Sequence, residues 1–328
     1  MKISVFGVRA VLLGLLLAGS SLGGAAASDV GARWITLGTH GGPLIGLRAQ
    51  PANALVVNGT IYVVDAGNGI AGQLVKAGLK VTDVGVIFIS HNHDDHNADM
   101  GTLAGLEYTA GRSEPINIYG PPGTERAMQG FAAFYGVNAE IRAEESNVSK
   151  PFTEIILTHD LVAPGVVYKD ANVTVTAAEN EHYHFAPGDA GYGKDRSYAY
   201  RFETARKVYV YTGDTGPSAA VTALAKDADV LVTEVFNVPA MLKFLAATAG
   251  DRQRPTPERL ARILRHFTDE HLSPAEVGKM AAAAHVKEVL LTHIIPEVPD
   301  SALDATFVDG VKASYSGPVI VAKDLASY

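Results

Sequence analysis

The chain contains no cysteine among its 328 residues. Disulfide stapling is therefore excluded, and so is any metal site built on thiolates. About 300 residues can bury one large core without such help. Long apolar runs are equally scarce. The one that stands out, Ala10 to Leu17, follows Lys2 and Arg9 and precedes the small residues Ala25-Ala26-Ala27. That order reads as a secretory signal peptide over residues 1–27, with an uncleaved anchor as the alternative. It has neither a twin-arginine pair nor a lipid-accepting cysteine. No later segment is long and apolar enough to span a bilayer, so the mature protein is expected to be soluble and exported, periplasmic or secreted. Positive charge is in short supply too. The formal net charge is −8, and removing Lys2 and Arg9 takes it to about −10, which does not suggest a nucleic-acid partner. Repeats, low-complexity stretches and linkers are absent, so residues 28–328 are read as a single domain.

Histidine is the last scarcity, at 11 residues, yet three fall within six positions in Ser90-His91-Asn92-His93-Asp94-Asp95-His96. Imidazole and carboxylate are ligands of zinc and its transition-metal neighbours. The run follows Val84 to Ile89, an apolar, β-branched stretch that reads as a buried strand. A ligand cluster on the loop leaving such a strand sits on a rigid support.

Other strands are expected at Trp34 to Leu37, Ala54 to Val57, Ile61 to Val64, Ile116 to Tyr119, Val173 to Ala177, Tyr198 to Phe202, Val208 to Tyr211, Val230 to Val232 and Val289 to Thr292, with an edge at Val319 to Val321. Asn58-Gly59 predicts a hairpin turn. Helices are expected from Gly69 to Ala77, from about Asp99, from Thr124 to Phe134, after Thr256-Pro257-Glu258 and after Ser273-Pro274-Ala275-Glu276. The helix after Thr256 should present Leu260, Ile263, Leu264 and Phe267 on its apolar face. Tyr135 to Asp170 is poorly legible, with loops and one strand near Ile155 to Leu157. Strand pairs first and alternating helices later favour mixed sheets covered by helices.

One loop cannot direct four ligands at a single tetrahedral ion, because the adjacent Asp95 and His96 point away from His91 and His93. The spacing suggests two metals, one on His91 and His93, the other on Asp95 and His96. Further ligands should lie at strand ends. His182, Asp214 in Tyr211-Thr212-Gly213-Asp214-Thr215-Gly216, and His293 fit that rule, and Asp214 could bridge. His184 competes with His182.

Taken in order, His91-x-His93-x-Asp95-His96, His182, Gly213-Asp214-Thr215 and Thr292-His293 resemble the metallo-β-lactamase superfamily over nearly the whole mature chain. The resemblance implies an α/β fold, a four-layer αββα sandwich of two mixed sheets flanked by helices, with a dinuclear hydrolytic centre. It implies two zinc ions, with manganese or iron as alternatives. His91, His93 and His182 would hold one ion, and Asp95, His96 and His293 the other. Asp214 would lie between them, and a metal-bound hydroxide would be the nucleophile. The bridging aspartate is usually lacking in true β-lactamases of this fold, which lowers antibiotic hydrolysis. His271-Leu272-Ser273-Pro274-Ala275-Glu276 is similar to a motif of ribonuclease Z and the zinc arylsulfatases, where a histidine paired with a glutamate protonates the leaving group. Glu234, closing the strand Val230 to Val232, matches that glutamate, so Asp95, His271 and Glu234 are the expected catalytic residues. Arg201 also matches, in a structural role.

Transfer-RNA processing is disfavoured by the signal peptide, the acidic chain and the lack of a basic arm. Tyr135 to Asp170 carries only Arg142, Lys150 and Lys169 against six acidic residues. Arg252, Arg254, Arg259, Arg262 and Arg265 are expected to form a solvated helix face. His40, in Gly38-Thr39-His40-Gly41-Gly42, stands where relatives carry small residues. The expected function is hydrolysis of a small sulfate ester or phosphodiester by an exported enzyme, monomer or homo-oligomer, without nucleic-acid or membrane partners. A lactonase or β-lactamase-type activity is the alternative, followed by a non-catalytic binding module.

Overall fold

The structure, a computed structural model, describes residues 31–146, 150–248, 256–297 and 301–328. The expected signal peptide, Arg252 and Arg254 lie outside them. The chain begins with a meander: β1 (Arg33–Gly38), β2 (Ala52–Val57) and β3 (Thr60–Ala66) pair antiparallel. Asn58 and Gly59 both have positive φ, 51° and 85°, as a two-residue hairpin turn requires. Then β4 (Val84–Phe88), β5 (Ile116–Gly120) and β6 (Ile156–Asp160) continue the sheet in parallel.

The second sheet repeats this plan. β7 (Gly165–Lys169), β8 (Val173–Glu179), β9 (Tyr198–Thr204) and β10 (Val208–Tyr211) are antiparallel. β11 (Val230–Phe236), β12 (Glu288–Ile295) and β13 (Val319–Val321) follow in parallel. The last strand, β14 (Ala326–Ser327), returns to β1 and completes seven strands in each sheet.

Parallel strands need crossovers, and these supply the helices. The first sheet's crossovers contain α1 (Ile70–Lys76), the single turn α2 (Asp94–Asn97), α3 (Met100–Thr109), α4 (Thr124–Ser146) and α5 (Phe152–Ile155). Those of the second contain α6 (Ala219–Leu224), α7 (Val238–Thr248), α8 (Pro257–Asp269), α9 (Pro274–Ala283) and α10 (Ser301–Lys312). Three apolar layers result. Leu74, Leu103 and Ile118 pack between helices and the first sheet, and Val221, Val277 and Phe307 between helices and the second. Between the sheets lies an aromatic layer with Trp34, Phe88, Tyr200, Phe202 and Tyr209. Trp34 stacks on Tyr209 at 5.7 Å and meets Phe202 edge-on at 5.8 Å, the offsets aromatic quadrupoles favour. The architecture is the expected αββα sandwich.

The sequence reading needs several corrections. α4 does not stop at Phe134 but runs twelve residues further, to Ser146. It leaves Phe134, Val137 and Ile141 exposed, so no buried stripe marks its second half. The poorly legible segment therefore holds a helix and the strands β6 and β7 rather than mainly loops. β11 and β12 extend past the apolar runs, to Phe236 and Ile295, placing Glu234 and His293 within strands rather than at their ends. α7 went unrecognised. The apolar face of α8 is only half-covered, and Leu260 is exposed. Arg259, Arg262 and Arg265 do form a solvated face. The capping box at Ser273 and Glu276 is formed as expected.

Candidate active site

The carboxyl ends of β3, β4, β10, β11 and β12 converge on one edge of the sandwich, where ligands collect in parallel sheets. The loop after β4 emerges under tight backbone control: Ser90 O accepts from Tyr198 N at 2.9 Å, and Ile89 O accepts from the Tyr200 hydroxyl at 2.7 Å. Both donors belong to the second sheet, so the loop is gripped by both halves of the fold.

Two donor clusters form there. In the first, His93 Nδ1 lies 3.1 Å from His91 Nε2 and 3.1 Å from His182 Nε2. In the second, His96 Nε2 and His293 Nε2 lie 3.6 Å and 3.5 Å from Asp95 Oδ2. Asp214 stands between them, with Oδ1 3.3 Å from His96 Nε2 and Oδ2 3.1 Å from His293 Nε2 and 3.9 Å from His91 Nε2. All seven residues singled out as metal ligands are thus brought together. His182 joins the cluster, while His184 is exposed and belongs to no such group among the described residues.

Several features match a cation. Three of the histidines turn one ring nitrogen inward and have the other held from behind: His91 Nδ1 contacts Ser90 Oγ at 3.0 Å, His96 Nδ1 contacts Asp65 Oδ2 at 2.7 Å, and His182 Nδ1 contacts the Glu270 carbonyl at 3.0 Å. That backing fixes tautomer and orientation in metal-binding histidines. His96 Nε2, Asp214 Oδ1 and His293 Nε2 are buried and make no well-aligned hydrogen bond among the described residues. Such orphaned groups are costly unless something else satisfies them.

Electrostatics differ between the clusters. Burial is the main force lowering His91, His93 and His182, the last to about 3, so these imidazoles are neutral and free to donate a lone pair. Burial also disfavours charge on His96 and His293, yet Asp214 and Asp95 outweigh it. They raise His96 well above its usual value and His293 to about 10. The two histidines in turn overcome the burial of Asp95 and Asp214 and hold both carboxyls below their usual range. The field that favours a proton there also draws a divalent cation.

Around the clusters lies a supporting set. Asp65, fully buried at the end of β3, accepts from Ser90 N at 2.7 Å, Ser90 Oγ at 2.8 Å and the Tyr211 hydroxyl at 2.7 Å besides contacting His96. Gly42 N donates to Asp95 Oδ2 at 3.0 Å. Glu234 Oε2 lies 2.7 Å from His271 Nδ1, and Glu234 Oε1 accepts from Thr215 N at 2.5 Å. Burial drives this pair toward its uncharged forms, pushing His271 down to about 3 and Glu234 upward. Nε2 is the His271 nitrogen left unengaged by Glu234.

Beside the clusters opens a cavity of about 260 Å³, lined by His93, Asp95, Asp214, His271 and His293 at its base. His40 also lines it, its Nδ1 2.9 Å from Glu297 Oε2, and so does reach the site. Glu297 also accepts the backbone N–H groups of Leu47 and Arg48, at 3.1 and 2.9 Å. Arg201 is remote: its guanidinium donates to the carbonyls of Leu224 and Lys226, a structural tie.

This fold and donor arrangement agree with comparisons to known proteins. A family profile described as the Beta-lactamase superfamily domain matches residues 60–294. The chain belongs to that superfamily. Its members typically bind a divalent metal such as zinc, and the chain is a metal-dependent hydrolase acting on ester bonds. It is 28% identical over 255 residues to a ribonuclease Z of Mycobacterium sp. (strain KMS), covering 76% of this chain and 80% of that one. To a ribonuclease Z of Brevibacillus brevis it is 26% identical over 305 residues, covering 81% and 83%. Among solved structures, the metallo-beta-lactamase fold protein YhfI from Bacillus subtilis superposes with a TM-score of 0.62 at 19% identity, covering 90% of this chain and 98% of that one. Human short-form tRNase Z gives 0.60 at 18%, with the same coverage.

The sequence reading passed over Asp65, Ser90, Tyr211, His266 and Glu270. Asp65 carried the strand-end signal that exposed Asp214. His266 lies 5.1 Å, ring to ring, from His271 and bonds Glu270 at 2.8 Å, an i,i+4 pairing visible in the sequence once a helix is placed there.

Proposed function

We propose that this chain is an exported two-metal hydrolase of small esters, phosphodiesters foremost and sulfate esters next. The observation that carries this is the meeting of seven donor residues beside the Glu234–His271 pair. His91, His93 and His182 would hold one zinc ion, and Asp95, His96 and His293 the other, with Asp214 shared. When bound, two such ions supply Lewis-acid polarisation of the ester oxygens and a water ionised near neutral pH.

The chain's own residues do the rest. The Gly42 N–H fixes the Asp95 carboxylate. Glu234 anchors the His271 ring through Nδ1, which turns Nε2 to the leaving oxygen that must collect a proton as the ester bond breaks. Phe236 and Phe267 line the cavity on the side of His271. The ribonuclease Z relatives favour a phosphodiester over a sulfate. A small molecule is favoured over RNA by the net charge of −8 and by the acidic second half of α4. Export, with residues 28–328 as a single mature domain, is read from the N-terminal sequence and is checked by cell fractionation.

The deciding experiment pairs metal analysis of protein purified without chelator with a substrate panel: bis-aryl phosphate, aryl sulfate, lactone, β-lactam and precursor transfer RNA. Bound transition metal with turnover of the phosphate or sulfate supports the proposal. Metal-free protein overturns it, and preference for lactone, β-lactam or RNA reassigns the substrate.

A further inference from the structure

The cavity that receives the ester is markedly apolar on the side where His271 stands. Phe236 packs 5.2 Å, ring to ring, from His271 and 4.6 Å from Phe267. Met241 and Phe244, from α7, continue that wall. Opposite them, Leu44 and Ile45 project from the loop between β1 and β2. These two are 69% and 72% exposed, so two large apolar side chains line the cavity with little protein covering them. No lysine or arginine is among the described residues lining the cavity, whereas Asp95, Asp214 and Glu297 are. With Asp95 and Asp214 turned to the metals, Glu297 is the carboxylate left facing that side, so an anionic substituent would meet no lysine or arginine among the described lining residues. An apolar one would cover surface now in water.

Position and chemistry then combine. The atom that takes a proton from His271 is the leaving oxygen, so its substituent must lie against the ring of Phe236 and the wall beyond. We propose that the substrate's leaving group is an uncharged aryl or short alkyl group, seated between Leu44 and Ile45 on one side and Phe236, Met241 and Phe267 on the other. An apolar cavity of about 150 Å³ accepts benzene. At about 260 Å³, this one takes a single substituted ring together with the ester centre that lies over Asp95 and Asp214. The mobile, polyanionic 3′ segment of an RNA is the opposite of what this wall selects. The inference rests on the ester-hydrolase reading above and specifies its substrate.

The test uses methyl 4-alkylphenyl phosphates with alkyl groups of one to three carbons, whose leaving-group acidities are nearly equal. With zinc-loaded full-length protein, kcat/KM should rise roughly three- to fourfold per methylene. The 4-carboxyphenyl ester should fall below the 4-methylphenyl ester. M241S and I45S should flatten the alkyl series. Phenylphosphonate should also bind more tightly than methylphosphonate by calorimetry, and M241S should narrow that gap. A flat alkyl series in an active enzyme, or a carboxyphenyl ester turned over as well as the alkyl ones, overturns the inference and leaves the hydrolase reading standing. If no ester is turned over, the hydrolase reading fails, and the phosphonate pair still decides the pocket: equal binding of the two overturns it.

Discussion

Asp65→Asn isolates one buried charge with little else disturbed. Asp65 has φ 59°, a left-handed backbone that asparagine tolerates almost as well as glycine does, so the exchange adds no strain. The carboxylate accepts at both oxygens: Oδ1 from Ser90 N, and Oδ2 from Ser90 Oγ, the Tyr211 hydroxyl and the His96 ring. An amide cannot do this. With its nitrogen at the Oδ2 position it opposes the His96 Nδ1–H, since the Ser90 and Tyr211 hydroxyls can turn to accept, and when flipped it opposes the Ser90 N–H. One buried mismatch costs about 1–3 kcal/mol, which should lower the melting temperature of chelator-treated protein by several degrees. The second consequence concerns His96, whose Nε2 would face the metal only while Nδ1 is held. Losing such a partner typically weakens metal binding 10- to 100-fold, about 1.4–2.8 kcal/mol. Zinc affinity measured by competition with a chromophoric chelator should therefore fall by that factor at one of two sites. Unchanged affinity together with an unchanged melting temperature would refute the role assigned to Asp65.

His271→Ala should reduce kcat for ester hydrolysis by about 10²- to 10⁴-fold while zinc content stays at the wild-type level, since general acids contribute that range; loss of zinc would make His271 a ligand instead. Gly67→Ala should destabilise the fold by about 1–3 kcal/mol in denaturant titration, because its Cβ would collide with the Asp95 carbonyl oxygen; wild-type stability would show that the metal loop can yield. The His266–Glu270 pair predicts a pH dependence. Bonding to Glu270 raises His266 above its usual 6.5, and the histidine's contribution is full below 6.5 and lost as pH climbs through the raised value. Burial opposes ionisation of Glu270, but His266 lowers it below 4.5, so its contribution is full above 4.5 and lost as pH falls through the lowered value. The melting-temperature gap between wild type and His266→Gln should be widest between 4.5 and 6.5 and shrink at alkaline pH, and a gap that widens there would contradict the pairing.

The sequence announced those parts whose signal is local. An Asn-Gly turn, a capping box and a run of β-branched residues each carry their own physics, and the elements they mark are where they were expected. Trouble began where tertiary contact decides. α7, from Val238 to Thr248, is apolar on nearly every face, so no amphipathic period separates it from a strand or a buried loop. The second half of α4 has the reverse problem, since Val137 and Ile141 face solvent and interrupt the half-buried stripe that Tyr135 and Ala139 begin. Glu234 and His293 were found as residues but misplaced at strand ends, because β11 and β12 pass through polar positions that the site itself requires. His182 and His184 could not be told apart in a loop without periodicity. Asp65 had the right position, yet its three partners come from a neighbouring loop and from a strand of the other sheet.

The gripping of the metal loop by both sheets has a consequence for folding. His91, His93, Asp95 and His96 follow a strand of the first sheet, while His182, Asp214 and His293 come from the second. A cation shared among them closes chain loops of many tens of residues and rivets one half of the sandwich to the other. Ligation by a folded-state site contributes about 2.7 kcal/mol at a free-metal concentration one hundred times the dissociation constant. Metal supply would then govern how long the protein survives as well as how fast it works, and a shortage of that metal would weaken the tie between the two sheets.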